Sequence, residues 1–236
     1  MPPVKTTDDP TSRIAPIFRT SVEHQVAAAL REMIVGGVLP EATPLVQREL
    51  AERLGVSQTP VRVALGELER DGLVEVGETG RAIVSRLTRE DLEELYAARL
   101  GLEGLAARLG AAAVDDADLR VMRAVLARLV RLAARREVEP YLDGRWELHA
   151  RCYRASGRPR LLAEVERLFR RGVRYNRLVL SDAGRFARSI ASYHDFLAAC
   201  ESRDGEAAER VVASSMRWAV DAVAGLLPSE RAQGVG

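Results

Sequence analysis

The stretch GVSQTPVRVALGELERDGLV, residues 55–74, decides the fold. Ser57 is a good N-cap residue, and Pro60 still falls in the first turn, where a missing N–H costs little. Val61, Leu65 and Leu68 recur at i, i+4 and i+7, which makes one apolar stripe for docking. Gln58, Thr59 and Arg62 point away from that stripe, and Gly72 ends the pattern. The spacing predicts a helix over 57–70 with an anchored side and a free polar side.

Working upstream, Val26, Leu30, Met33 and Ile34 predict a helix over 22–35, closed by Gly36-Gly37. The segment VLPEATPL reads as a turn. Leu50, Ala51 and Leu54 predict a second helix over 47–54, with Gly55 past its end. Downstream, residues 73–76 and 82–85 alternate like strands, with Gly77 and Gly80 in the connection, so a hairpin is expected. Three short helices and a hairpin over 20–87 form a winged helix-turn-helix, whose third helix enters a major groove. Arg62 suits a guanine edge and Gln58 an adenine, while Ser57 and Thr59 suit phosphate or base. Arg48, opening the preceding helix, would meet the backbone or a neighbouring base. Thr79 and Arg81 at the hairpin tip would reach the minor groove or phosphates. The competing reading is a small packed subdomain with no partner.

From Thr88 onward the pattern is helical, rich in Ala, Leu and Arg. Thr88-Arg89-Glu90-Asp91 resembles a capping box with Asp in place of Glu. Helices are expected at 89–112, 116–136, 139–155, 160–180, 183–202 and 205–226, giving a mainly α protein whose 88–227 region is an all-α six-helix bundle. Residues 1–19 and 228–236 read as flexible tails.

Composition narrows the function classes. Of 236 residues, 47% are apolar and 29% charged, as in a folded soluble protein. Net charge is only +1, so a nucleic-acid partner must be argued from local sequence. No apolar run approaches a membrane span or a signal peptide, so a cytoplasmic protein without a membrane partner is expected. The two cysteines, Cys152 and Cys200, are widely spaced and read as reduced core thiols. No nucleophile elbow, HExxH, P-loop or dinucleotide fingerprint occurs, which argues against an enzyme. His149, His194, Asp143 and Asp195 are the residues an acid–base set would need.

LAERLGVSQTPVRVAL (residues 50–65) followed by LERDGLV (68–74) resembles the GntR family of bacterial regulators. The resemblance implies DNA contacts from Arg48, Ser57, Gln58, Thr59 and Arg62, and from the wing near Gly80 and Arg81. Gln58 stands where the family usually has Arg, which removes a guanine-reading group, and Glu41 where it has Gly. Val46 replaces a capping Ser, a change worth about 1 kcal/mol to the second helix. Residues 87–113, 149–162 and 200–212 resemble helices of the FCD ligand-binding domain of the FadR-like subfamily. That implies a homodimer on a palindromic operator, with DNA affinity shifted by a metabolite, often an organic acid. A repressor of a metabolic operon is expected; an effector-independent DNA-binding protein is the alternative.

Helical spacing singles out an interior independently. Arg99 falls between Leu92, Leu95 and Tyr96 on one side and Leu102 and Ala106 on the other, where a buried guanidinium needs a partner. Glu103, one turn on, can supply it. Arg145 and His149 share a face with Tyr141 and Cys152; Asn176 aligns with Phe169, Val173 and Leu180; Tyr193 lies between Ile190 and Leu197; Ser215 lies between Val211 and Trp218. Polar groups from five helices turned inward predict a ligand pocket. The resemblance implies a metal held there by one Asp and three His. The matching positions are Arg145, His149, Tyr193 and Ser215, and His194, one residue away, is turned by about 100°. No metal or other cofactor is therefore expected, and Arg99, Arg145 and His149 favour a carboxylate. A metal on Asp143, His149 and His194 is the alternative.

Overall fold

The computed structural model describes residues 21–77, 80–180 and 183–227. The expected tails and Thr79 lie outside the described residues.

The N-terminal unit contains α1 (Val22–Val35), α2 (Gln47–Leu54), α3 (Gln58–Arg70), β1 (Val74–Val76) and β2 (Ala82–Val84). The Ser21 hydroxyl starts α1 by accepting the His24 N–H. Val26, Ala27, Leu30 and Ile34 of α1 and Val61, Ala64, Leu65 and Leu68 of α3 are buried in one core. Arg31 fixes their mutual angle through Glu67 (2.7 Å) and Asp71 (2.8 Å). Met33 and Leu54, expected in the apolar stripes, are each 37% exposed. A domain this small covers only the centre of each stripe. Helix α2 starts at Val46 with no side-chain cap and ends at Gly55, whose φ of 66° suits glycine.

The hairpin pairs Val74 with Val84 and Val76 with Ala82, antiparallel. The segment read as a turn does more than connect. Leu45 donates to the Ala82 carbonyl (2.8 Å), and Val84 donates to the Thr43 carbonyl (3.0 Å). It therefore covers the edge of β2 that β1 leaves unpaired.

The helical unit comprises α4 (Arg89–Ala111), α5 (Asp116–Arg135), α6 (Val138–Ala155), α7 (Pro159–Val179), α8 (Ala183–Glu201) and α9 (Gly205–Ala224), around a separate core. Each boundary lies within two residues of the expected one. Asp115 and Asp118 form a complete capping box on α5. The box expected on α4 is half made: Thr88 accepts the Asp91 N–H at 3.1 Å, but the Asp91 carboxylate turns to Arg171 and to the Tyr175 hydroxyl. Helix α4 packs at the centre. A Cβ at its Gly110 would lie 2.1 Å from the Cys152 carbonyl oxygen, so only glycine permits this approach of α6. Among the described residues, no helix is long and apolar enough to cross a membrane.

Candidate DNA interface and helical-domain interior

On α3 the expected polar side is open: Ser57, Gln58, Thr59 and Arg62 are exposed, while Pro60 and Val61 beside them are buried. Ser57 holds the extended N-cap conformation, but its hydroxyl accepts no helix N–H. The expected cap position is therefore borne out, without the side-chain bond. Helix α3, like α2, α6 and α7, has no side-chain cap hydrogen bond, and its exposed first turn leaves N–H groups open to an outside acceptor. Arg48, Arg62 and Arg81 are exposed and have no ion-pair partner among the described residues. Gly80 is exposed in the wing turn at φ 73°. A helix N-terminus with free donors, flanked by uncommitted guanidinium groups, suits a phosphate backbone and the base edges beside it.

The helical interior holds a connected polar cluster. Arg99, fully buried, donates from Nε to Glu103 Oε1 at 2.7 Å. The partner expected one turn away is thus real, but it satisfies only one of three nitrogens. Tyr153 donates to Glu103 Oε2 at 3.1 Å and lies 3.3 Å from His149 Nδ1. One phenolic hydrogen cannot serve both. With it on Glu103, His149 carries its own hydrogen on Nδ1 and donates to Tyr153. Tyr96 donates to Asn176 Oδ1 at 3.1 Å. The guanidinium groups of Arg99 and Arg145 lie over the Phe169 ring at 5.2 and 5.3 Å.

Charge follows from burial and neighbours. Burial opposes the charge on Arg99, but Glu103 first and Tyr96 next hold it protonated, with its pKa above the ordinary value. Burial, reinforced by Arg145 and Arg99, pushes His149 down to about 3, so it is neutral near pH 7. Arg99 Nη1 and Nη2, Arg145 Nε and Asn176 Nδ2 are buried with no hydrogen-bond partner among the described residues. Tyr141, Arg145, Asn176, Ser189 and Ser215 line one enclosed cavity with Trp218, leaving about 10 Å³ for the centre of a water molecule. That is room for one water, so a carboxylate requires the helices around it to part.

The structure thus brings Arg145, Asn176 and Ser215 to one wall, with Arg99, His149 and Tyr193 among the residues behind it. It does not bring together the alternative metal set. Asp143 and His194 are exposed while His149 is buried, and no group of three or more His, Cys, Asp or Glu that could hold a metal occurs among the described residues. The residues at the matched positions, a guanidinium, an imidazole, a phenol and a hydroxyl, do not fit the metal that the resemblance implies. Sequence reasoning missed Tyr153 and Ser189, and it placed Tyr96 and Tyr141 on inward faces without giving them a role. It also missed Gly172, where a Cβ would lie 2.4 Å from Arg99 Nη1. Cys152 and Cys200, far apart in the chain, are buried free thiols with sulfurs 3.7 Å apart.

Residues 23–84 match the family described as bacterial regulatory proteins, gntR family, and residues 94–217 match the FCD domain. The chain belongs to the GntR family and carries an FCD domain. The regulator McbR of Escherichia coli is 27% identical over 200 residues, covering 84% of this chain and 90% of McbR. The McbR structure superposes with a TM-score of 0.76 at 24% identity, over 88% of this chain and 99% of that one, which shows the shared fold. YdhC of Bacillus subtilis is 32% identical over 93 residues, 39% of this chain and 42% of YdhC. A probable D-xylose utilization operon repressor of Paenarthrobacter nicotinovorans is 41% identical over 95 residues, 40% of this chain and 42% of the repressor. The chain thus matches less than half the length of the last two relatives. GntR-family regulators bind DNA and FCD domains bind small-molecule effectors; the relatives and fold neighbours are transcriptional regulators rather than enzymes.

Proposed function

We propose that this GntR-family regulator is a cytoplasmic repressor that binds a palindromic operator as a homodimer and responds to a small carboxylate without a metal. On DNA, Arg62 and Gln58 read base edges, Ser57 and Thr59 meet phosphate or base, and Arg48, Thr79, Gly80 and Arg81 hold the backbone or minor groove. Two such α3 helices in successive major grooves stand about 34 Å apart. The repressor sign rests on the name of the Paenarthrobacter relative.

The effector reading rests on one observation: the buried nitrogens of Arg99, Arg145 and Asn176 that lack acceptors among the described residues. Each unmade bond to a buried donor costs about 1–3 kcal/mol, and a carboxylate brings acceptors to several donors at once. Neutral His149 and the hydroxyls of Tyr193 and Ser215 complete its surroundings. Differential affinity for the closed and parted arrangements would then shift DNA binding.

The test uses chelator-treated full-length protein. Thermal melts against mono- and dicarboxylates are expected to find an acid that raises Tm, and that acid is expected to change affinity for a palindrome from the protein's own promoter region. If no acid raises Tm and operator binding is constitutive, the effector-independent reading replaces this one. A Tm response that requires added divalent metal would overturn the metal-free site.

A further inference from the structure

A second, larger space lies between the two units. Helix α1 and the α6–α7 pair enclose a cleft of about 410 Å³, within the size range of small-molecule sites. Its wall is aromatic: Trp146 of α6 and Phe169 of α7 tilt against each other with ring centroids 4.8 Å apart. Leu142, Val173 and Ala28 extend the apolar surface onto all three helices.

The charges around this cleft are committed unequally. Every lining arginine already has a carboxylate: Arg31 is held by Glu67 and Asp71, Arg170 by Glu166 at 2.5 Å, and Arg177 by Glu139. Glu32 and Asp143 also line the cleft, are exposed, and have neither hydrogen-bond nor ion-pair partner among the described residues. An anion would have to displace existing carboxylates from the arginines. A cation meets two uncommitted carboxylates beside the Trp146 indole, the ring type that binds cations most strongly.

We infer that this cleft is a site for a small organic cation, an ammonium group carried on an aromatic or short aliphatic body. Its occupant touches α1 of the DNA-binding unit and α6 and α7 of the FCD domain together, so occupancy bears on how the two units sit. The site is separate from the carboxylate site proposed above, although Phe169 is common to both: one side lines the cleft, and the guanidinium groups of Arg99 and Arg145 lie over its ring. The inference does not depend on the carboxylate reading.

The chain has two tryptophans, and each lines a different site: Trp146 the cleft and Trp218 the interior cavity. In full-length Trp218→Phe protein the remaining indole is the one that lines the cleft. Titration with benzyltrimethylammonium is expected to give a saturable change in Trp146 emission, and benzyl alcohol, a similar body without charge, no saturable change. The Glu32→Gln/Asp143→Asn variant is expected to weaken cation binding about fivefold, as two partly exposed charge pairs should. Both positions are on the surface, and far-UV circular dichroism checks that the variant is folded. No saturable response to the cation, equal affinity in the double variant, or equal binding of benzyl alcohol would each overturn the inference. Failure of the carboxylate reading would register instead on Trp218, in Trp146→Phe protein.

Discussion

Arg174 of α7 grips both oxygens of Ser85, donating from Nη1 to the hydroxyl at 2.7 Å and from Nη2 to the carbonyl at 2.6 Å. The Ser85 hydroxyl in turn donates to the Gly72 carbonyl at 2.9 Å, between the end of α3 and the start of β1. One turn earlier, Arg171 packs on Gly72 and binds Asp91 at the start of α4. The other face of α7 carries Phe169, Gly172 and Asn176 into the FCD interior. One rigid helix therefore joins the proposed effector site to the base of the DNA-reading helix and its wing. A shift of α7 on ligand binding has a direct route to α3.

Replacing Arg174 with Met removes two charge-assisted bonds at a buried position. The expected loss is about 2–3 kcal/mol in urea unfolding. Operator affinity without effector should change less than the effector's ability to alter it, read by fluorescence anisotropy with and without the acid. An undiminished effector response in Arg174→Met would remove α7 as the connection.

Gly172→Ala puts a methyl group 2.4 Å from Arg99 Nη1 and 3.2 Å from its Cζ. Arg99 has nowhere to retreat, because it is fully buried and held by Glu103. Overpacking of this kind costs about 1–3 kcal/mol. The variant is expected to melt earlier and to lose carboxylate response, while operator binding at temperatures below the melt persists. A normal melt would mean that the α4–α7 packing is looser than described.

His149 makes stability pH-dependent in a defined direction. In the unfolded chain a histidine takes up its proton near pH 6.5, whereas in the native interior burial and the neighbouring arginines defer this to about 3. The native state thus holds fewer protons between those values. Stability is fully present above pH 6.5 and falls as the pH drops toward 3, with a slope approaching about 1.4 kcal/mol per pH unit from this one group. Urea melts between pH 6.5 and 5, above the carboxylate range, should show the slope in the parent and a flatter line in His149→Phe. Equal slopes would place the proton uptake elsewhere.

Arg62→Ala is expected to weaken operator binding by about 1–3 kcal/mol and to relax preference at one base pair, with helical content unchanged. Arg48→Ala should weaken binding to all sequences alike and reduce the salt slope of log K by about one. Mobility shifts over a salt series on matched and scrambled palindromes separate the two behaviours. If both variants acted alike, the division into base-reading and backbone contacts would fail.

Much of this architecture is local and was readable. The limits of α1 and α2 agree with the apolar spacing, and Gly55 and Gly72, both at positive φ, end their helices where expected. The Arg99–Glu103 pair was readable because i and i+4 are neighbours on any helix. The rest of the cluster was not: Tyr153 meets Glu103 across 50 residues, and Tyr96 meets Asn176 across 80. Ser57 shows the limit at short range as well, since its backbone takes the cap position while its hydroxyl does not cap.

By itself the sequence determined the helical periods, the hairpin and the GntR and FCD patterns, because each is carried by residues within a turn or two of one another. Only the tertiary structure decided which inward-facing nitrogens lack acceptors, that α7 clasps Ser85, and that an aromatic cleft lies against α1. Those features depend on distances between helices far apart in the chain, and such distances arise when the cores pack.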